Sequence, residues 1–205
     1  MNRRVFYLLG LFAPILFVFT AILGGALRPG YSHVADTVSE LFSPASPDRP
    51  LLTVLHTLYA ISFSLFGFGL LQFVQNKGKF KRIGIVAALA FISVGILSIL
   101  TATVFPQDAW GSTPTFFGEM HMIISGVISL LSILYILLFG VWFHRTGITT
   151  FFRTYSMATV AAVVLTAGWF AVSIGGPLMG ISERVTILVG FQWTFLLAVM
   201  VLKND

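Results

Sequence analysis

Apolar residues along this chain come in long unbroken runs, and polar residues retreat into short segments between them. Neither the strict alternation of a half-buried strand nor the one-sided stripe of a water-facing helix accounts for such runs. Six of them, at 5–26, 53–74, 83–105, 121–143, 156–174 and 185–202, come close to the roughly 20 residues a helix needs to cross a bilayer at about 1.5 Å per residue. The pattern predicts an all-α fold: an integral membrane bundle of six transmembrane helices forming a single transmembrane domain over 1–205. The first run follows "MNRR" and ends in "GGA" like a signal peptide. Its apolar stretch is about twice the usual 7–15 residues, so it reads as a retained first helix.

Composition sharpens this picture. The chain is 57% hydrophobic and only 9% charged, where a soluble domain carries about 25% charged residues. So few charges would not cover a globule in water, and lipid is the expected surroundings. There is no cysteine, which removes disulfides and thiolate metal sites. A net charge of +5 raises the question of nucleic acid, but the basic residues sit in short clusters beside the apolar runs, as topology would place them. Membrane lipids are therefore the expected partners, with no nucleic acid; the oligomeric state is not legible.

Orientation follows from the same clusters. With the N-terminus inside, Arg3, Arg4, Lys77, Lys79, Lys81, Arg82, Arg145, Arg153 and Lys203 fall on the inner side, against Arg28, Arg49 and Arg184 outside. This bias predicts a multi-pass protein of the cytoplasmic (inner) membrane with both termini cytoplasmic, N-in/C-in. Asp36, Glu40, Asp48, Asp108, Glu119 and Glu183 all fall outside, and only Asp205 falls inside. Acidic residues contribute little to insertion, so the outer face is where ionisable chemistry is expected.

Within "RPGYSHVADTVSELFSPASPDRP" at 28–50, His33, Asp36, Thr37 and Glu40 are spaced i, i+3, i+4 and i+7. On a helix they share one face, opposite Val34, Val38, Leu41 and Phe42. That predicts a short interfacial helix after the first span, with Ser32 as its N-cap and its apolar side toward the membrane. The second outer loop, "FPQDAWGSTPTFFGEMH", adds Asp108, Glu119 and His121. Ser125, Ser129 and Ser132 continue below His121, and Thr53, His56, Thr57 and Ser64 form a second polar stripe. Such stripes also serve as helix-packing seams. His33, His56 and His121 thus converge near one surface with several carboxylates. Neutral imidazole and carboxylate suit a divalent metal such as zinc, and the same groups suit general acid–base work.

Several function classes are disfavoured. No Asp, Glu, Lys or Arg lies inside a predicted span, where proton pumps carry one, and no span holds the lysine a retinal linkage needs. No Gly-rich phosphate loop or GxSxG elbow is present. Gln192, the deepest polar group, reads as an interhelical hydrogen-bonding residue.

The block "RPGYSHVADTVSELFSPASP", followed by "FPQDAW...GEMH", resembles the bacterial membrane family named domain of unknown function 998, and more remotely the DRAM-like membrane proteins. Tyr31, Ser32, His33, Asp36, Ser39, Glu40, Pro106, Asp108 and His121 match its motifs. The resemblance implies a polytopic helical protein with a motif-bearing outer face, and no catalytic role. Two readings stay open. In the first, Tyr31, Ser32, Arg28, Glu40, His56, Glu119 and Arg184 bind a lipid head group or small polar ligand, to sense, present or move it. Arg28, Arg49 and Arg184 suit a phosphate, while the acidic excess suits a zwitterionic or cationic ligand. In the second, a membrane-embedded hydrolase or transferase uses His121, Asp108, His33 and Asp36 as catalytic residues on a lipid, with or without a metal held by His33, His56 and His121.

Overall fold

A computed structural model describes residues 3–204; Met1, Asn2 and Asp205, the last being the one acidic residue expected inside, lie outside the described residues. Among the described residues there are six long helices and no strand: α1 Arg3–Leu27, α2 Arg49–Lys77, α3 Lys81–Thr103, α4 Phe116–Thr146, α5 Phe151–Ser173 and α6 Met179–Asn204. All six are long and apolar enough to cross a membrane. Four of them overrun both ends of the apolar runs that predict them, while α3 and α5 do so only at their starts. The extra turns are polar and invisible to hydropathy, and they are made helical by caps and turns. Thr115 caps α4 by accepting from the Gly118 amide, and Gly147 ends it in the left-handed region. Pro50 sits in the first turn of α2, where its missing N–H costs nothing, instead of keeping the chain extended.

Each helix packs against its neighbours in sequence, and α6 returns to α1, so the helices close into a ring. One end of this ring gathers the turns at 78–80 and 147–150 with Lys77, whose ammonium donates to the Asn204 carbonyl at 2.6 Å. We call it the basic end. The opposite, loop end gathers the connections at 28–48, 104–115 and 174–178.

Close approach of the helices depends on small residues, as membrane interfaces do. A Cβ on Gly10 of α1 would lie 2.6 Å from the Phe66 ring of α2, and one on Gly95 of α3 would collide with Ser64 Oγ. Toward the basic end the ring is filled. Phe63 and Phe91 stack at 4.0 Å between centroids, Tyr135 and Trp193 lie 5.5 Å apart, and Trp142 is fully buried with its indole N–H on the Lys79 carbonyl. Trp142, close to the end of its span, is thus core. Toward the loop end the lining residues are smaller and more polar, and the ring is hollow.

The Gly95→Ala variant is expected to lose roughly 1–3 kcal/mol of stability, the range for overpacking a tight contact, read as a lower melting temperature in detergent. Gly126→Ala on α4, where a Cβ meets nothing within 4 Å, is expected to leave the melt unchanged or raise it.

Candidate functional site

The 28–48 connection closes the loop end. Its apolar anchor is a short 3-10 turn, Ser39–Phe42, whose Leu41 and Phe42 are buried. Leu41 packs with Ala21, Leu52 and Ala102 from α1, α2 and α3. Gly24 leaves room for it, since a Cβ there would lie 2.8 Å from Leu41 Cδ1.

Polar groups then fix the turn from three sides. Glu40 Oε2 accepts from the Thr37 amide at 3.2 Å and Oε1 from the Trp110 amide at 3.2 Å, joining the first and second loops. The Glu40 carbonyl accepts from Arg28 at 3.0 Å. From α6, Glu183 accepts from the Val38 amide and, at 3.2 Å, from the Ser39 hydroxyl. Arg184 donates to the Asp36 carbonyl at 2.7 Å and to the Tyr31 hydroxyl, which in turn donates a hydrogen bond to the Thr37 carbonyl at 2.7 Å. Burial, opposed by Arg184, pushes the Tyr31 phenol up to about 12, so it remains a donor at neutral pH. The first amides of α6, which have no partner within their own helix, donate from Gly180 to Ala35 and from Ile181 to Val34.

These bonds explain why 31–38 does not form the expected interfacial helix. The carbonyls of Val34, Ala35, Asp36 and Thr37, which a helix would use internally, are taken by α6 and Tyr31. His33, Asp36, Thr37 and Glu40 therefore share no face: His33 is exposed, while Thr37 and Glu40 are buried. The short helical turn that does form is a lid sunk into the bundle, not a helix lying on the membrane.

Under the lid lies a cavity of about 250 Å³ that draws on all the helices. Val38, Ser39 and Phe42 of the lid line one end, and Phe63, Tyr135, Ile136 and Val163 the other. Its walls are mainly apolar and aromatic, with polar groups at His56, Ser98, Thr101, His121, Ser125, Ser129, Ser132, Thr186 and Glu183. Most ligand pockets have this character, with few polar groups in an apolar shell.

His56 is buried, with its ring 4.8 Å from Phe42, 5.1 Å from Tyr59 and 5.7 Å from Phe17. Its Nε2 lies 3.2 Å from the Ser98 carbonyl. A carbonyl only accepts, so Nε2 carries the proton and the neutral ring's Nδ1 is an acceptor. That Nδ1 is buried and has no partner among the described residues. His121, also buried, is fixed by its Nδ1–H donating to the Phe105 carbonyl at 2.9 Å.

The structure separates the residues that sequence reasoning gathered. His56 and His121 line the cavity, whereas His33 lines a different groove outside it. Among the described residues no group of three His, Cys, Asp or Glu side chains comes together to hold a metal ion, so the expected His33, His56 and His121 set is not assembled. The lid occupies the space between His33 and the other two. Asp36 accepts from the Ser32 amide at 2.7 Å. Asp108 accepts from the Thr115 amide at 2.7 Å and hydroxyl at 2.8 Å, which holds the start of α4. Neither carboxylate is paired with a histidine by hydrogen bonding. Tyr31, Ser32, Arg28, Glu40 and Arg184 bond within or to the lid, and Glu119 is exposed in the first turn of α4. Partial burial and then the Arg184 charge lower the His33 imidazole below its ordinary value. Glu183 and Arg184, neighbours in the second turn of α6, divide, the first lining the cavity and the second the groove. Gln192 does bond between helices, to Thr159 at 3.5 Å, and more closely to the Val189 carbonyl at 3.0 Å. The α6 wall of the cavity was missed, although Glu183, Thr186, Ile187, Gly190 and Phe191 carry the spacing of one helical face.

The model of a family described as Protein of unknown function (DUF998) matches residues 11–200 of the chain. No curated protein and no solved structure matches it.

The Glu183→Gln variant keeps the shape of the side chain and weakens charge-assisted bonds of about 1.5–3 kcal/mol. Amide exchange in 36–42 is expected to quicken roughly ten- to a hundredfold, with the filled half of the ring unchanged. Tyr31 gives a pH test. Its folded pKa lies above the ordinary 10, so its contribution is full below pH 10 and is lost as pH rises toward 12. The melting-temperature difference between wild type and Tyr31→Phe is expected to shrink across that window.

Proposed function

The chain belongs to the DUF998 family, and we propose that it is a membrane receptor or carrier whose central cavity holds a small amphiphilic lipid. The single observation that carries this reading is His56, which lines an apolar, aromatic cavity and whose buried Nδ1 has no hydrogen-bond partner among the described residues. A buried unpaired acceptor costs about 1–3 kcal/mol. A bound head group with a hydroxyl or amine donor offsets that cost, while the aromatic walls take its apolar body.

The loop end faces away from the cytoplasm in this reading, and both termini are cytoplasmic in a cytoplasmic membrane. Nine basic residues on one side against three on the other support that orientation. The head-group site therefore lies at outer-leaflet depth under a lid. A hydrolytic reading has less support, because Asp36 and Asp108 are both engaged in holding backbone.

His56→Phe tests the proposal. The Ser98 carbonyl keeps the Thr101 hydroxyl, which donates to it at 2.9 Å, so the wall survives the change. With lipid stripped away, the variant is expected to melt higher than the wild type, by the removed cost of the orphan nitrogen. Lipid co-purifying with the wild type, read by extraction and mass spectrometry, is expected to fall about two- to tenfold, the worth of one hydrogen bond. Gly190→Leu, which fills open space in the wall, is expected to remove that lipid altogether. Equal lipid in all three proteins contradicts the proposal.

A further inference from the structure

A second cavity of about 260 Å³ runs between α1 and α6, outside the lid. Its walls are apolar, formed by Phe17, Val18, Ala21 and Ile22 of α1 with Ile187 and Leu188 of α6. At its loop end stand two groups of another kind, Arg184 and His33. A guanidinium carries five N–H donors. Arg184 uses three within the fold, to the Asp36 and Gly180 carbonyls and to the Tyr31 hydroxyl. All three acceptors are neutral, and the Nε–H and one Nη2–H remain. His33 makes no hydrogen bond among the described residues; its ring packs edge-on to Tyr31 at 5.3 Å. It also lies so close over Gly25 of α1 that any Cβ there would displace it. The fold thus seats an imidazole and a guanidinium with spare donors at the head of an apolar slot.

We propose that this α1–α6 groove is a binding site for a glycerophospholipid, with one acyl chain in the slot and the phosphate on Arg184 and His33. Charge complementarity identifies the occupant. A guanidinium is the side chain that best recognises phosphate oxygens, and the slot below offers nothing polar. The groove is distinct from the central cavity, the two having Phe17, Val38 and Ile187 as a common wall. The acidic residues of the loop end, which pointed to a cationic or zwitterionic ligand, do not line this site, although the Glu183 carboxylate is near enough to interact with the Arg184 charge. Glu40 and Glu183 are turned into the lid, and among the described residues Arg184 is the one Asp, Glu, Lys or Arg that lines the groove.

The test uses full-length protein, delipidated in detergent and titrated in native mass spectrometry. The two probes are a phosphatidylglycerol and a diacylglycerol with the same acyl chains. His33→Asp places a like charge beside the phosphate, and Ile22→Trp closes the slot. Both residues are exposed, so the fold is retained, whereas changes at Arg184 would also unmake the lid. Phosphatidylglycerol binding is expected to fall at least about fivefold in each variant, and diacylglycerol binding in Ile22→Trp alone. Equal binding of the two lipids by the wild type, or no effect of His33→Asp, overturns the phosphate assignment. Unchanged phosphatidylglycerol binding by Ile22→Trp overturns the groove.

Discussion

A carboxylate at the mouth of a helix ring, Glu183, accepts the Val38 amide and the Ser39 hydroxyl of the segment that crosses that mouth. Much else rests on this contact. A backbone buried near lipid must have its polar groups satisfied by protein, and 31–39 keeps a single helical bond, from the Asp36 amide to the Ser32 carbonyl, and gives up the rest. Glu183, Arg184 and the first amides of α6 supply the replacements. With that pairing in place the 3-10 turn sinks to its buried position, Leu41 and Phe42 seal against α1, α2 and α3, and the space beneath becomes a cavity. The ionisable residues of the loop end are mostly the fastenings of a lid.

The ring divides along its length into a packed part and a hollow part. Large aromatic rings fill the basic half, from Phe63 and Phe91 to Trp142 and Trp193. In the other half the inward positions of α3, α4 and α6 carry Ser98, Ser125, Ser129, Thr186 and Gly190. Side chains of that size cannot meet across a six-helix ring. The polar stripes below His121 and around His56 are therefore cavity lining over part of their length, with Ser64 a packing seam against Gly95.

Much of the fold was legible because lipid imposes so simple a rule. Length and hydropathy sufficed to count the helices, and the polar turns beyond each run were lost only because hydropathy does not see caps. The interfacial helix failed for a physical reason: its i, i+3, i+4, i+7 spacing was real, but the α6 amides, Arg184 and Glu183, far away in sequence, take the backbone groups that a local ladder would have used. The site was half legible. His56 and His121 were singled out by type and do line one cavity, while His33 was drawn in by sequence proximity and is shut out by the lid. Glu183 stood out in the sequence as one of the outer acidic residues; its direction relative to Arg184 depends on how α6 is rotated in the ring, which no single helix records.

The central claim is that the hollow half of the ring holds an amphiphile by its head group. A cryo-electron microscopy map of the protein extracted with its native lipid, at a resolution that separates water from lipid, tests it most directly. The account expects elongated density among Phe17, Tyr59, Tyr135 and Phe191, with one end at hydrogen-bonding distance from His56 Nδ1. A cavity closed by its own side chains, or holding only isolated water peaks at the histidines, contradicts it.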